Sequence, residues 1–304
     1  LSVSQPINGN RGNTNNLTVD GGSNLDSGSN GSQINNVGID FIREVSIKTS
    51  NFSAEYGRNS GASINVVTRS GENKFHGGAF ENLRNDKLDA NNTFNVARGL
   101  KTDGTPAVPR PALRFNNFGA NFGGPIIKDK LFIFGGVEWK IIRQFTNSQT
   151  QTLPTSAELR GDFSARSTVF LKDPLKTGTC SATVLTACFD NPKIIPANRI
   201  TADGKAIAAV YAAMAQRAVS FLDTPTSNNA LYQEPNPFHS REDLVRIDYR
   251  INSQHNVYGR YIHDKYDLID PFGTFINSAL PTIPTNRLRP GYSYQVGHTW
   301  MIRP

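Results

Sequence analysis

The sequence predicts a mainly β chain: an α+β segment, then about six long antiparallel strands of a transmembrane β-barrel. Three observations predict it. The first is strand alternation. From Lys130 to Ile142, Leu131, Ile133, Gly135, Val137, Trp139 and Ile141 share one face, while Glu138 and Lys140 lie on the other. From Glu242 to Ile251, Val245, Ile247, Tyr249 and Ile251 alternate with Leu244, Arg246, Asp248 and Arg250. The second is the order of the connections. Residues 85–112, 145–240 and 267–290 are long links, and Ile126–Asp129 and Asn252–His255 are short ones. Strict long–short alternation suits a barrel with loops outside and tight turns in the periplasm. A soluble sandwich has no reason to keep its long links at one end. The third is composition: 37% hydrophobic residues with 26 Gly, 17 Pro and 18 Phe. That mixture favours strands and loops over a helical bundle. With no apolar run of about 18 residues, a transmembrane helix is excluded, whereas alternating strands are not.

The N-terminal segment is assigned element by element. Residues 1–38 are rich in Asn, Gly and Ser, with one strand signal, Leu17–Asp20, ending in Gly21-Gly22. Ile39–Ile47 reads as a helical turn leading into a strand. Asn51–Gly57 reads as a turn that Ser53 begins and Gly57 stops. Ile64-Asn65-Val66-Val67-Thr68 is a β-branched strand, closed by the turn Ser70–Asn73. Weaker strands follow at 74–84, 113–124 and 256–264, and a last one runs from Tyr292 towards Met301. In 113–124, Phe118, Ala120 and Phe122 oppose Asn117, Gly119 and Asn121. In 256–264, Val257, Gly259 and Tyr261 oppose Tyr258, Arg260 and Asp264.

The link 145–240 is too long for a structureless loop. It carries an Ala-rich helix expected over Asp203–Phe221, with Ile207, Val210, Tyr211 and Met214 at roughly helical spacing. It also carries both cysteines, Cys180 and Cys188, whose close spacing in a polar, Pro-rich stretch fits a local disulfide in an oxidising compartment. Together these describe an ordered extracellular excursion.

The net charge of +7 is scattered along the chain, without the basic stripe that nucleic-acid binding requires. No G-x-S-x-G, H-E-x-x-H or phosphate-binding Gly-rich loop is present, so no enzyme is expected. The five histidines stand apart, and neither a metal site nor a cofactor is expected.

At residues 42–72 the chain resembles the C-terminal part of the plug of TonB-dependent receptors. The resemblance lies in Ile42-Arg43-Glu44-Val45, Ser53-Ala54-Glu55-Tyr56-Gly57-Arg58 and Gly61-Ala62-Ser63-Ile64-Asn65-Val66-Val67-Thr68-Arg69-Ser70-Gly71. Leu17–Gly21 resembles the earlier plug strand that ends in Asp-Gly. The segments Thr49–Arg58, Phe75–Asp86, Phe118–Phe134, Ile195–Ile200 and Asp243–Tyr261 are similar to the Oar-like branch. One departure is Ala62-Ser63, where many members carry Gly-Gly or Gly-Gln. The resemblance implies a barrel of about 22 strands with a plugged lumen. Residues 1–72 would supply the end of the plug and 73–304 the first barrel strands. The chain would then be a fragment, lacking the segment that touches TonB and leaving a strand edge unpaired.

The implied function is energy-coupled uptake of a large ligand (siderophore, glycan or peptide), driven by the TonB–ExbB–ExbD complex. The implied location is the outer membrane, in contact with its lipid. The alternative is a structural or adhesive barrel without import. Glu44, Tyr56, Gly57, Gly61, Ile64, Asn65 and Thr68 carry the plug signature. Arg43, Glu44, Glu55 and Arg58 are expected to pair with lumen charges such as Glu81, Arg246, Asp248 and Arg260. Ligand contact is expected at Gly21–Asn36 and at 145–240.

Overall fold

The computed structural model describes residues 5–56, 59–274 and 280–302. Gly57 and Arg58 lie outside the described residues. The first four strands are β1 (Asn16–Val19), β2 (Gly22–Ser23), β3 (Ile42–Lys48) and β4 (Ser63–Thr68), in the order β2-β1-β4-β3. β1 runs parallel to β4, with Leu17 opposite Ile64 and Val19 opposite Val66. Alternation puts Leu17, Val19, Ile64 and Val66 on one buried face. Asp20 and Gly21 join β1 to β2 at positive φ, 50° and 83°. A two-residue hairpin turn needs that conformation at both positions, and Asp-Gly is a pair that adopts it at little cost.

Beyond this sheet come β5 (His76–Asn85), β6 (Leu113–Ile127) and β7 (Leu131–Gln144). Three short strands follow, β8 (Gln149–Gln151), β9 (Ser220–Phe221) and β10 (Ala230–Tyr232), then the long β11 (Phe238–Arg250), β12 (His255–Asp270) and β13 (Thr285–Trp300). The six long strands form one sheet, β13-β12-β11-β7-β6-β5, antiparallel throughout. Its short turns, β6–β7 and β11–β12, lie at one end, and the three long links lie at the other. On β11 the outer face carries Val245, Ile247 and Tyr249, and on β13 it carries Tyr292, Tyr294 and Val296, all exposed. An apolar band of this extent is unfavourable in water and suits lipid. The inner face is not charged throughout. It presents Phe134, Leu244 and Ile262, fully buried in one cluster with Leu17, Val19, Phe41, Ile64 and Val66 of the N-terminal segment. Strand alternation alone does not reveal these inward apolar positions, because the sheet they pack against comes from elsewhere in the chain.

The excursion between β7 and β11 is ordered. Its strands pair in the order β8-β10-β9. The helix spans Ala202–Arg217 and is N-capped by Thr201, whose Oγ1 accepts from Gly204 N at 3.1 Å. It ends short of the expected Phe221 because Ser220 and Phe221 pair with β10. Tyr211 and Met214 pack on Leu153, Ala230 and Tyr232. Ile207 and Val210 remain exposed, so the apolar stripe read from the sequence is only half used. Cys180 and Cys188 are joined, with an S–S distance of 2.00 Å. Among the described residues no helix is long and apolar enough to cross a membrane, which leaves crossing by strands untouched.

Candidate functional site

The N-terminal sheet meets the inner face of the six-stranded wall at a buried polar centre, Asp20. The hairpin turn points its carboxylate at the wall. Oδ1 accepts from Thr68 N at 2.8 Å and from Arg246 Nη1 at 3.0 Å. Oδ2 accepts from Thr68 Oγ1 at 2.8 Å and from Arg260 Nη1 at 2.7 Å. The Asp20 carbonyl accepts from Tyr258 Oη and from Gln295 Nε2, both at 2.9 Å. Thus one residue of the small sheet is held by β11, β12 and β13 together. Arg246 also pairs with Asp248 at 2.8 Å and lies over the Tyr258 ring at 4.5 Å. The side chains of Asp20 and Arg260 are only 4% and 3% exposed, so each desolvated charge depends on the other.

Two further contacts flank this centre. Asn36 donates to Asp264 Oδ2 from its backbone N and its Nδ2, each at 2.6 Å. Arg289 Nη2 donates to the Gln33 carbonyl at 2.7 Å. Glycines on the wall let the small sheet approach closely: a Cβ at Gly136 would collide with the Phe41 ring. Below, Asn73 and Asp129 exchange two hydrogen bonds of 2.6 and 2.8 Å, tying the connecting segment to the β6–β7 turn.

The residues singled out in the sequence fall into distinct places. Ile64 is core, and Thr68 holds Asp20. Asn65 Oδ1 accepts from Thr18 Oγ1 at 2.8 Å, inside the small sheet. Gly61 N donates to the Thr14 carbonyl at 3.0 Å. Tyr56 lies beneath Lys48 Nζ, 3.4 Å from the ring centroid. Arg43, Glu44, Glu55 and Glu81 are exposed. Among the described residues, none of the expected pairs from Arg43, Glu44 or Glu55 to Glu81, Arg246, Asp248 or Arg260 forms. The acid that meets Arg246 and Arg260 is Asp20 instead. The reason is topological: β3 is an edge strand, whereas the β1–β2 turn is aimed at the wall. Asp20, Tyr258 and Gln295 were visible in the sequence only as a turn residue and two strand residues.

The family model described as an outer membrane beta barrel domain matches residues 67–304. The chain belongs to this outer-membrane β-barrel family. The barrel therefore lies in the outer membrane, with the apolar band of β11 and β13 facing lipid. Its sequence is similar to the TonB-dependent transporter Oar of Myxococcus xanthus, 38% identical over 133 residues, 43% of this chain and 12% of that protein. Its fold is similar to that of the outer membrane transporter YddB from Escherichia coli, with a TM-score of 0.51 at 10% identity. That likeness covers 98% of this chain and 30% of that one. The chain thus spans about an eighth of the length of the first of these relatives and under a third of the second.

Proposed function

We propose that the chain is part of a TonB-dependent receptor, in which residues 1–72 belong to the plug and 73–304 to the barrel. The receptor takes up a large ligand from outside and draws energy from the TonB–ExbB–ExbD complex. The observation that carries this reading is the seat of the small sheet on the inner wall through Asp20, Arg246 and Arg260. A few concentrated polar contacts hold a separable unit firmly, yet release it once they are broken. The apolar cluster shared by the two, Phe134, Leu244 and Ile262 against the small sheet, adds to the hold, so withdrawal needs an applied force. The excursion 145–240 stands at the long-link end, where a ligand arriving from outside would meet the receptor.

The test uses the full-length receptor in outer-membrane vesicles and the soluble C-terminal domain of TonB. The receptor should capture that domain, and a panel of ferric siderophores, oligosaccharides and peptides should contain one class whose presence strengthens capture. A receptor that binds no TonB under any condition would be a structural or adhesive barrel.

A further inference from the structure

Away from Asp20, the inner face carries a row of acids. Glu138 on β7 stands directly opposite Glu242 on β11, and Glu242 directly opposite Asp264 on β12. Like charges in register on adjacent strands destabilise a sheet unless something neutralises them. Asp264 is satisfied by Asn36 of the segment between β2 and β3. Glu138 is 7% exposed, and among the described residues neither Glu138 nor Glu242 has a hydrogen bond or an ion pair. Both line a cavity of about 200 Å³ that Asn35, Asn117 and Lys140 also line. The amide of Asn35, in a residue only 2% exposed, has no partner on either Oδ1 or Nδ2, and Asn117 Oδ1 has none. Gly38 keeps the approach open, since a Cβ there would lie 2.6 Å from Glu138 Oε2.

One buried and one half-buried carboxylate with two unpartnered amide oxygens around a small cavity are the donors of a hard cation. Calcium takes carboxylate, amide and water oxygens in a flexible shell, whereas soft metals want the His or Cys that this cavity lacks. We propose that the cavity between the small sheet and the wall binds a divalent hard cation of the calcium type. Glu138 and Glu242 supply the charge, and Asn35 and Asn117 complete the shell together with water. Because Asn35 belongs to the segment between β2 and β3 and the other three to the wall, the ion clamps the N-terminal unit to the wall. Lys140 opposes it, so the site is weaker than its two carboxylates alone would make it. The proposal stands whether or not the receptor imports anything.

The experiment is calorimetric titration of Ca²⁺ into chelator-treated full-length receptor in detergent. One site is expected, lost in Glu138→Gln/Glu242→Gln. Lys140→Met should tighten binding roughly tenfold, since it removes a nearby like charge. A gain of affinity is a result that misfolding does not imitate. A wild-type receptor that binds no Ca²⁺, a double variant that binds as wild type does, or a Lys140→Met variant with unchanged affinity would overturn the proposal.

Discussion

Asp20 and Arg246, 226 residues apart in the chain, meet at 3.0 Å in the interior of the molecule. Neither is solvated enough to stand alone, and a second guanidinium, Arg260, closes on the same carboxylate at 2.7 Å. The seat of the small sheet therefore depends on one acid. Asp20→Asn should destabilise it by about 3 kcal/mol, because buried Arg260 loses its counter-charge and Arg246 is left with Asp248 alone. Urea-dependent protease protection of residues 5–56 in the full-length protein measures this. Adding Arg260→Met to Asp20→Asn should recover part of the loss, since the cation left without a counter-charge then disappears.

Phe41 fills the space left by Gly136. Phe41→Ala should cost about 3–5 kcal/mol in the same assay, the usual range for emptying a buried aromatic site. Gly136→Val, which places a branched side chain against the ring, should also destabilise, by about 1–3 kcal/mol. The paired variant Phe41→Ala/Gly136→Val should be less damaged than the two losses added, because the valine then occupies part of the cavity.

Acid should loosen the excursion through Glu158. Burial alone pushes this carboxyl up, but hydrogen bonds from Arg166 and from the Thr155 N–H outweigh it and hold it below the ordinary 4.5. A carboxyl depressed in the folded state contributes stability that is complete above about pH 4.5 and is lost as pH falls through the lower folded value. Glu158→Gln should lower stability at neutral pH and flatten the acid limb of the melting profile. An unchanged acid midpoint in Glu158→Gln would show that another group controls it.

The disulfide closes a loop of eight residues in sequence separation. In the chain-entropy picture its removal costs about 2.5 kcal/mol. Cys180→Ser/Cys188→Ser should therefore increase protease cleavage within 145–240 while leaving the wall intact, as mass mapping of the fragments would report.

Much of the wall was legible because membrane strands obey a two-residue period, and β11 and β12 present the faces that their alternation indicates. The connections were legible for the same reason: Asp129 and Asn252 sit in turns too short for anything else. The binding centre was not. Asp20 carries a turn signal shared by any Asp-Gly hairpin, and nothing local says that its carboxylate is buried against a wall. Its partners come from three strands more than two hundred residues away, and only the topology brings them together. The exposed charges of β3 misdirected the pairing, since an edge strand and a seated hairpin look alike in one dimension. The helix at Ala202–Arg217 was overextended because no Gly or Pro follows it. Its end is set by the pairing of β9 with β10, a tertiary constraint.

The N-terminal sheet sits on the inner wall of an outer-membrane barrel. Gly22 and Gln295 offer the most direct measurement, because a Cβ at Gly22 would lie 2.8 Å from Gln295 Oε1. Gly22→Cys/Gln295→Cys in the full-length protein should be joined by a short reducible bifunctional thiol reagent in intact outer membranes, and reduction should release it. A pair that stays unlinked in intact membranes, with both thiols open to labelling, would contradict the account.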